Sequence, residues 1–267
     1  MAIQFFCPRW GSESLSWEAF IKKVKEEGYD GIECGIAFNT PEQALEQVWN
    51  LAAKAGLEII AQHYDTNDAD FSQHYDNYCK WLEKMAGYPV VKINSQTGKD
   101  YFSFHQNKQL IDAANACGRL VIHETHRNKF SFAAHIMSTY LQQIPALRIT
   151  LDASHWVCVA ESYLEDQVAA MQLAIERTDH IHARVGYTEG PQVSDPRMAQ
   201  WEYAVSRHLS WWDDIVARLQ REEKTVTITT EFGPYPYMVY EPSTGKPVVD
   251  QWQVNVYMMN LLRDRYS

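Results

Sequence analysis

Short apolar segments alternate with longer amphipathic segments along the chain, and glycine marks many of the transitions. Gly28, Gly56, Gly87 and Gly118 each follow a charged, helix-like stretch and precede an apolar run. A glycine just past a helix end supplies the left-handed conformation that closes the last turn without a Cβ clash. We therefore predict that each of the four ends a helix. Their spacings of 28, 31 and 31 residues match one strand–loop–helix–loop unit.

The apolar segments predict eight strands. Several of them, such as residues 57–61 and 119–122, are nearly continuous apolar runs instead of alternating ones. Continuous apolarity is typical of parallel strands that are covered on both faces. The predicted strands lie near residues 3–10, 30–36, 57–64, 89–95, 119–125, 146–153, 179–185 and 225–232.

The helix after the second strand has a recognisable start. Thr40 is predicted as its N-cap, Pro41 as its first helical residue and Gln43 as the partner that completes a capping box. The residues predicted to form its apolar face are Ala44, Val48, Leu51, Ala52 and Ala55.

Eight strand–helix units in 267 residues leave about 33 residues for each unit. This length predicts the fold class α/β, as a single (β/α)8 TIM barrel over residues 1–267, and no Pro/Gly/Ser-rich linker divides the chain. A doubly wound open sheet is the alternative, but it usually carries a glycine-rich first turn that binds a nucleotide. The turn at residues 8–11, Pro-Arg-Trp-Gly, lacks that fingerprint.

Composition and charge limit the classes of partner that the protein is expected to bind and the compartment in which it is expected to lie. With 24 basic and 34 acidic side chains the net charge is −10, which argues against a general nucleic-acid binder because such proteins need surplus Lys and Arg. No apolar run approaches the ~20 residues of a membrane helix. No basic region precedes an apolar core at the N-terminus, so we expect no secretory signal. Five scattered cysteines without a C-x-x-C pair predict reduced thiols and a cytoplasmic location.

Candidate chemistry lies at the strand ends, because the carboxyl ends of barrel strands face the active-site mouth. Strands five to eight end with Glu124, Asp152, His182 and Glu231 in turn. Taken alone, a Glu or His at such a position is more often a loop or core residue. A carboxylate within an apolar strand costs several kcal/mol if it is buried without a partner. One shared divalent cation would compensate all four residues, so we predict a metal site there.

The donor set indicates which metal would bind. Three carboxylates and one imidazole favour Mn²⁺ or Mg²⁺, with Co²⁺ and Zn²⁺ as alternatives. The absence of clustered cysteines excludes a thiolate-rich zinc site.

These residues also carry a family resemblance. The chain resembles the xylose-isomerase-like TIM-barrel superfamily in four short motifs: Glu124 in VIHETH, Asp152 with His155 in LDASHW, His182 in HIHAR and Glu231 in TTEFGP. The superfamily includes sugar isomerases and epimerases, inosose dehydratases, hydroxypyruvate isomerase and AP-endonuclease-like enzymes. In its ketose epimerase branch the equivalent four residues bind one divalent metal. The resemblance thus implies the same four ligands here, and a substrate or further-metal contact for His155.

The chain departs from two branches of that superfamily. The epimerase pattern has a further Glu shortly after the first ligand, where this chain continues with residues 126–130, His-Arg-Asn-Lys-Phe. The DNA-repair branch binds three zinc ions with additional histidines, but strand four ends here in Lys92 and Asn94. We therefore do not expect a three-metal site.

The predicted activity is isomerisation or epimerisation of a sugar or a related polyol or hydroxy-carbonyl compound. The mechanism would be proton transfer through a metal-stabilised enediolate, with Glu124 and Glu231 as base and acid. His63, His155 and Arg184 are expected to orient the substrate. Trp10 and Trp156 are expected either to form pocket walls or simply to pack in the core.

Other functions stay open at this point. A metal-dependent dehydratase of a cyclic polyol shares the metal and the first chemical step. An AP-endonuclease-like phosphodiesterase and a non-catalytic sugar-binding barrel are less favoured. Residues 186–196, rich in turn formers, are expected to form a lid or a contact within a homo-oligomer, and residues 208–212 to begin the following helix.

Overall fold

Eight parallel strands close into a barrel in chain order in the computed structural model, which describes residues 2–267. Strand β1 pairs with β2 on one side and with β8 on the other, and this second pairing closes the barrel. The predicted α/β class and (β/α)8 architecture are confirmed.

The barrel strands are β1 (Ile3–Pro8), β2 (Gly31–Gly35), β3 (Glu58–His63), β4 (Lys92–Ser95), β5 (Val121–Glu124), β6 (Ile149–Leu151), β7 (Thr178–His182) and β8 (Val226–Thr229). The helices around them are α1 (Trp17–Glu26), α2 (Glu42–Ala55), α3 (Phe71–Ala86), α4 (Phe104–Ala116), α5 (Ala134–Gln143), α6 (Ala153–Ala160), α7 (Val168–Arg177), α8 (Glu202–Arg221) and α9 (Gln251–Tyr266). A two-stranded hairpin, β9 (Tyr240–Glu241) and β10 (Lys246–Pro247), lies between β8 and α9.

Each predicted strand is present, but most are shorter than the apolar run that predicts them. Strand β6 has three residues and ends at Leu151, and β8 ends at Thr229. Asp152 and Glu231 consequently lie just beyond the strands, where the backbone is free to turn.

The predicted capping box of α2 is wrong. Pro41 itself occupies the N-cap position with extended backbone (φ −61°, ψ 144°), and no side chain caps this helix. The buried face of α2 consists of Leu45, Val48, Trp49 and Ala52, whereas the predicted Ala44, Leu51 and Ala55 are only half-buried. The indole of Trp49 belongs to this buried face, and its Nε1 donates to the carbonyl of Pro89 at 2.8 Å.

The predicted glycine conformations are confirmed at three of four positions, and the predicted start of α8 is wrong. Gly28, Gly56 and Gly118 adopt the predicted left-handed conformation, but Gly87 does not (φ −73°). Helix α8 begins at Glu202, not near His208, because a 3₁₀ turn at Ala199–Trp201 starts the helical path earlier.

The apolar core lies between the barrel and the helices, while part of the barrel interior is polar. Lys92 Nζ donates to Thr227 Oγ1 at 2.9 Å, a contact between β4 and β8 on opposite sides of the barrel. Burial lowers the pKa of this lysine to about 8. The interior therefore holds buried, hydrogen-bonded polar groups below the carboxyl ends of the strands.

All five cysteines are free thiols. Within residues 2–267, none of the helices combines the length and the apolar character that crossing a membrane requires.

Candidate metal centre

Four residues from the ends of β5 to β8 converge at the centre of the barrel. Glu124, Asp152, His182 and Glu231 each offer one ligand atom, and these atoms lie within 4.8 Å of one another. All four side chains are buried. The structure thus brings together the four residues that the sequence predicts as metal ligands.

Several polar atoms of this cluster lack hydrogen-bond partners. His182 Nδ1, Glu124 Oε1 and Glu231 Oε2 are buried and make no hydrogen bond, although Nδ1 lies 2.8 Å from Glu231 Oε2 and 3.8 Å from Glu124 Oε1. Buried polar atoms are normally paired. The lone pairs of His182 Nδ1 and Glu231 Oε2, 2.8 Å apart, repel one another unless a proton or a metal cation lies between them. The residues therefore fit a divalent ion.

The cluster perturbs the pKa of each member. Burial raises the pKa of Glu124 to about 8, with the carboxylates of Glu231, Asp152 and Glu33 adding to the rise. Burial opposes charge on His182, but the surrounding carboxylates outweigh it and hold the pKa of His182 well above 6.5. The neighbouring His182 lowers the pKa of Glu231 against the effect of burial. Without a metal ion, the cluster therefore retains protons near neutral pH.

Asp152 combines its place in the cluster with two local contacts. It is the N-cap of α6, and its Oδ1 accepts from the backbone N of Ser154 at 3.0 Å. Its Oδ2 pairs with Nη2 of the buried Arg184. Burial raises the pKa of Asp152, and Arg184 opposes the rise. Arg184 thus holds one carboxylate oxygen of Asp152.

Side-chain amides surround the two glutamates. Gln62 Nε2 lies 3.3 Å from both Glu124 Oε2 and Glu231 Oε1. Asn94 Nδ2 and Gln96 Nε2 donate to Glu124 Oε2 at 3.2 and 3.3 Å. These contacts fix the second oxygen of each carboxylate and leave the orphaned oxygens directed at His182.

A cavity of about 320 Å³ opens above the cluster. This volume is at the lower end of the usual range for small-molecule sites. Of the residues predicted for the site, Glu124, Glu231, Arg184 and Trp10 line the cavity. Its remaining lining residues are Arg9, Glu13, Gly35, Gln62, Tyr64, Gln96, His126 and Tyr237.

Trp10 and Tyr237 form one aromatic wall of this cavity. Their rings meet edge to face with centroids 5.2 Å apart, and the Arg184 guanidinium lies 5.0 Å from the Tyr237 ring centroid. An apolar wall beside a cation suits a compound with both a carbon face and polar substituents.

The structure does not place His63 or Trp156 at the cavity. His63 packs against Tyr78 and Trp81 of α3, with ring centroids 4.8 and 4.9 Å apart. Trp156 is buried in α6 and donates to the carbonyl of Ser131 at 2.8 Å. His63 is therefore not in position to orient a ligand in the cavity, because successive strand residues point to opposite faces and Gln62, not His63, faces inward. For Trp156 the structure shows core packing, the second of its two predicted roles.

His155 lies behind the cavity wall. Its Nε2 is 2.8 Å from Arg184 Nη2, and its Nδ1 accepts from Arg127 Nε at 3.1 Å. It does not line the cavity, so its contact with a ligand would pass through Arg184.

Several polar residues that surround the cluster were not among the predicted site residues. His126, Gln62 and Gln96 line the cavity, and Glu33 and Asn94 lie beneath it. Strand alternation is the signal that would have found most of them. Inward positions are two residues apart, so His180 and His182 share one face of β7.

The structure does not place the predicted lid at the cavity, and its alternative, a contact within a homo-oligomer, stays a prediction. Residues 186–196 do not line the cavity. The side chain of Gln192 is buried and bonds both the N and the carbonyl O of Gly233, at 2.7 and 3.2 Å. This segment therefore buttresses the chain after β8, whereas the segment that follows Gly233 supplies Tyr237 to the cavity.

Two other groups of residues have metal-ligand spacing. One consists of Glu33, His180 and His182, and the other of Glu124, His126 and His155. Both share a member with the four-residue cluster. The four-residue cluster is the one with orphaned atoms on three of its members.

Comparison with known proteins gives no sequence match and clear structural ones. No protein-family model matches the chain, and no curated protein matches it in sequence. The probable 3-DHS dehydratase of Bacillus anthracis, involved in petrobactin synthesis, superposes with a TM-score of 0.61 at 18% identity over 99% of this chain and 100% of that one. The 3-keto-D-glucoside 4-epimerase of E. coli gives 0.60 at 14% identity, over 98% and 99%.

Endonuclease IV of Thermus thermophilus is similar to the same extent, with a TM-score of 0.61 at 12% identity over 98% of both chains. At these identities the likeness shows the fold. The chain shares its barrel fold with these proteins, and the resemblance seen in its sequence motifs is confirmed at the level of the fold. A shared fold does not define an activity, which must be argued from the site.

Proposed function

We propose that the protein is a divalent-metal-dependent isomerase or epimerase of a sugar or a related polyol or hydroxy-carbonyl compound. The observation that carries this proposal is the pair of glutamates that line one small cavity and share an imidazole neighbour. Glu124 comes from β5 and Glu231 follows β8, and each has an unpartnered oxygen near His182 Nδ1.

The proposed ligands are Glu124, Asp152, His182 and Glu231, and the donor chemistry favours Mn²⁺ or Mg²⁺. The bound ion would act as a Lewis acid for the carbonyl and hydroxyl oxygens of the substrate. Arg184, held between Asp152 and His155, would orient a polar group of the substrate. Trp10 and Tyr237 would cover its carbon face and exclude water.

Proton transfer is assigned to the two glutamates. Isomerisation or epimerisation needs one group to remove a proton beside the carbonyl and one to return it. Glu124 and Glu231 enter the cavity from strands on different sides of the barrel, which suits removal and return on different faces or carbons. The amide of Gln62, 3.3 Å from both carboxylates, would keep them apart and directed.

Solvent-deuterium exchange tests this chemistry directly. Metal-loaded protein is incubated with a panel of ketoses, aldoses and inososes in deuterated water, and NMR measures deuterium at the carbon beside the carbonyl. Glu124→Gln and Glu231→Gln keep the side-chain shape but lose basicity, so we expect exchange to fall by about 10²–10⁴-fold. Glu46→Gln, an exposed glutamate on α2, is the matched control. Unchanged exchange in both site variants would remove the glutamates from the chemistry.

Dehydration of a cyclic polyol is the second candidate. Loss of water requires a base that takes the proton from carbon and a donor that protonates the leaving hydroxyl; His126 provides an imidazole in the same cavity that would be an additional base, with a site glutamate returning the proton to the leaving hydroxyl. Burial lowers the pKa of His126 to about 3, so the ring is neutral. The fold likeness to the probable 3-DHS dehydratase also supports this candidate. In the same panel, mass spectrometry of the products distinguishes loss of water from isomerisation.

The proposed setting is a reducing one, in which five free thiols persist. We accordingly retain the cytoplasm as the proposed location, with a small-molecule substrate as the partner.

A further inference from the structure

A fifth acidic residue, Glu33, lies directly beneath the candidate metal cluster without being one of its four members. Glu33 belongs to β2 and its side chain is almost completely buried. Its Oε1 accepts from Asn94 Nδ2 at 2.8 Å, and its Oε2 accepts from Thr229 Oγ1. Nε2 of His182 lies 3.1 Å from Oε1 and 3.2 Å from Oε2. This carboxylate is therefore bound firmly on all sides and faces the imidazole from below.

The contact between Glu33 and His182 decides which ring nitrogen carries the hydrogen. A neutral imidazole has one N–H and one lone pair, and an ionised carboxylate only accepts hydrogen bonds. In the neutral ring Nε2, the nitrogen beside Glu33, would then hold the hydrogen and Nδ1 the lone pair. Asn94 Nδ2 also lies 3.2 Å from Nε2, but its two hydrogens are directed at Glu33 Oε1 and Glu124 Oε2. Nδ1 is the nitrogen that lies 2.8 Å from Glu231 Oε2 and 3.8 Å from Glu124 Oε1.

The alternative is that Glu33 itself binds an ion together with His180 and His182, which also have ligand spacing. The hydrogen bonds argue against this arrangement. Both oxygens of Glu33 have donors, among them His180 Nε2 at 3.1 Å from Oε2, and Nδ1 of His180 lies 2.7 Å from Thr227 Oγ1, which can donate to it. None of the atoms of Glu33 or His180 is orphaned, in contrast to Nδ1 of His182 and the oxygens above it. The orphaned atoms, which a cation or a proton would join, lie above the ring, and Glu33 supports the ring from the other side.

We propose that Glu33 is a positioning residue that holds His182 with Nδ1 directed at the metal site. The inference rests on the proposed metal-dependent function. Partners of this kind fix the tautomer and orientation of a ligating histidine, and their loss typically lowers metal affinity by about 10–100-fold. Glu33 would act through His182 and would touch neither the ion nor the substrate.

Two variants separate this role from general support of the fold. Glu33→Gln keeps the size of the side chain and an acceptor oxygen but removes the charge. Thr229→Val is the matched control, because it removes another hydrogen bond to the same carboxylate and leaves the contact with His182 in place. Mn²⁺ affinity is measured by calorimetry, and the free energy of unfolding of the metal-free proteins by urea denaturation.

We expect Glu33→Gln to weaken Mn²⁺ binding by about 10–100-fold, and Thr229→Val to weaken it far less even if both variants lose similar stability. Equal losses of affinity in the two variants would overturn the inference. Binding by the wild type with unchanged affinity in Glu33→Gln would also overturn it while leaving the metal-dependent function intact. A wild-type protein that binds no divalent ion would overturn both.

A measurement on the wild type keeps the inference testable if Glu33→Gln does not fold. In protein labelled with ¹⁵N-histidine and loaded with Zn²⁺, long-range ¹H–¹⁵N correlation spectra report which nitrogen of His182 coordinates the ion. The expected result is coordination through Nδ1 and an exchange-protected hydrogen on Nε2. Coordination through Nε2 would contradict the assignment.

Discussion

Each oxygen of Asp152 has its own protein partner. Oδ1 caps α6 through Ser154, and Oδ2 pairs with the buried guanidinium of Arg184. A metal ion bound in the cluster would share this carboxylate with Arg184. The Asp152 carboxylate therefore takes part in three features: it caps α6, it pairs with Arg184 and it belongs to the candidate metal centre.

Asp152→Asn tests the charge on that residue. Asparagine is also a good N-cap, so α6 should still form, but a metal ion and Arg184 both lose a charged partner. We expect Mn²⁺ affinity and activity to fall together. The metal-free protein should also lose stability, since removal of one partner of a buried ion pair costs about 3–5 kcal/mol. Calorimetry and urea denaturation measure the two effects.

His155→Ala is the companion variant, because His155 contacts Arg184 without belonging to the four-residue cluster. Its metal content should stay nearly unchanged while its turnover falls. Equal loss of metal in both variants would make His155 a ligand and the site larger than proposed.

The raised pKa of Glu124 and His182 predicts a pH-dependent metal affinity. The pKa of Glu124 is about 8, and that of His182 lies well above 6.5, so at pH 7 both groups hold protons in the metal-free protein. Because ligands must be deprotonated, binding releases these protons and affinity rises as the pH increases toward 8. Calorimetry at pH 7 in buffers of different ionisation enthalpy measures the release. A heat of binding that is independent of the buffer would contradict this prediction.

At the scale of strands and helices, the sequence predicts where each element lies better than which way its side chains point. Apolar runs predict all eight strands, since both faces of a parallel barrel strand are buried. The carboxylates at the ends of β5 and β8 were predictable because a buried charge demands a partner. The direction of the His63 side chain was not predictable from the sequence. It depends on where β3 ends and on how β3 pairs with its neighbouring strands.

The same argument explains the other corrections. Glu33 lies within β2 and contacts His182 across the barrel, whereas Asn94 of β4 contacts Glu124 on the neighbouring strand. Both contacts join residues that are far apart in the sequence, so they leave no local pattern in it. The turn-rich segment at 186–196 resembles a mobile loop in composition. Its buried Gln192 bonds to Gly233, which lies 41 residues further along the chain, so no local pattern announces the contact.

Neighbouring residues of β3 provide a test of side-chain direction. His63→Ala removes a buried ring that packs on Tyr78 and Trp81, so the free energy of unfolding should fall by about 3 kcal/mol. Deuterium exchange by the folded protein should not change. Gln62→Ala should have the opposite profile, because Gln62 contacts both site glutamates. A large loss of exchange in His63→Ala with unchanged stability would return His63 to the site.

For the whole molecule, charge and cavity size agree on the class of ligand. The net charge is −10, and the cavity above the metal cluster has a volume of about 320 Å³. Both features suit a small polar compound better than a nucleic-acid backbone. The likeness to endonuclease IV thus extends to the barrel, and a nicking assay on abasic oligonucleotides with added metal would show whether it extends to activity.

The central claim is that one divalent ion binds among Glu124, Asp152, His182 and Glu231. The most direct measurement is anomalous X-ray scattering from crystals of the protein grown with Mn²⁺. We predict one strong anomalous peak per chain, with an atom from each of the four residues at about 2.0–2.6 Å. A peak held instead by Glu33, His180 and His182, or by Glu124, His126 and His155, or the absence of any peak at saturating Mn²⁺, would contradict the claim.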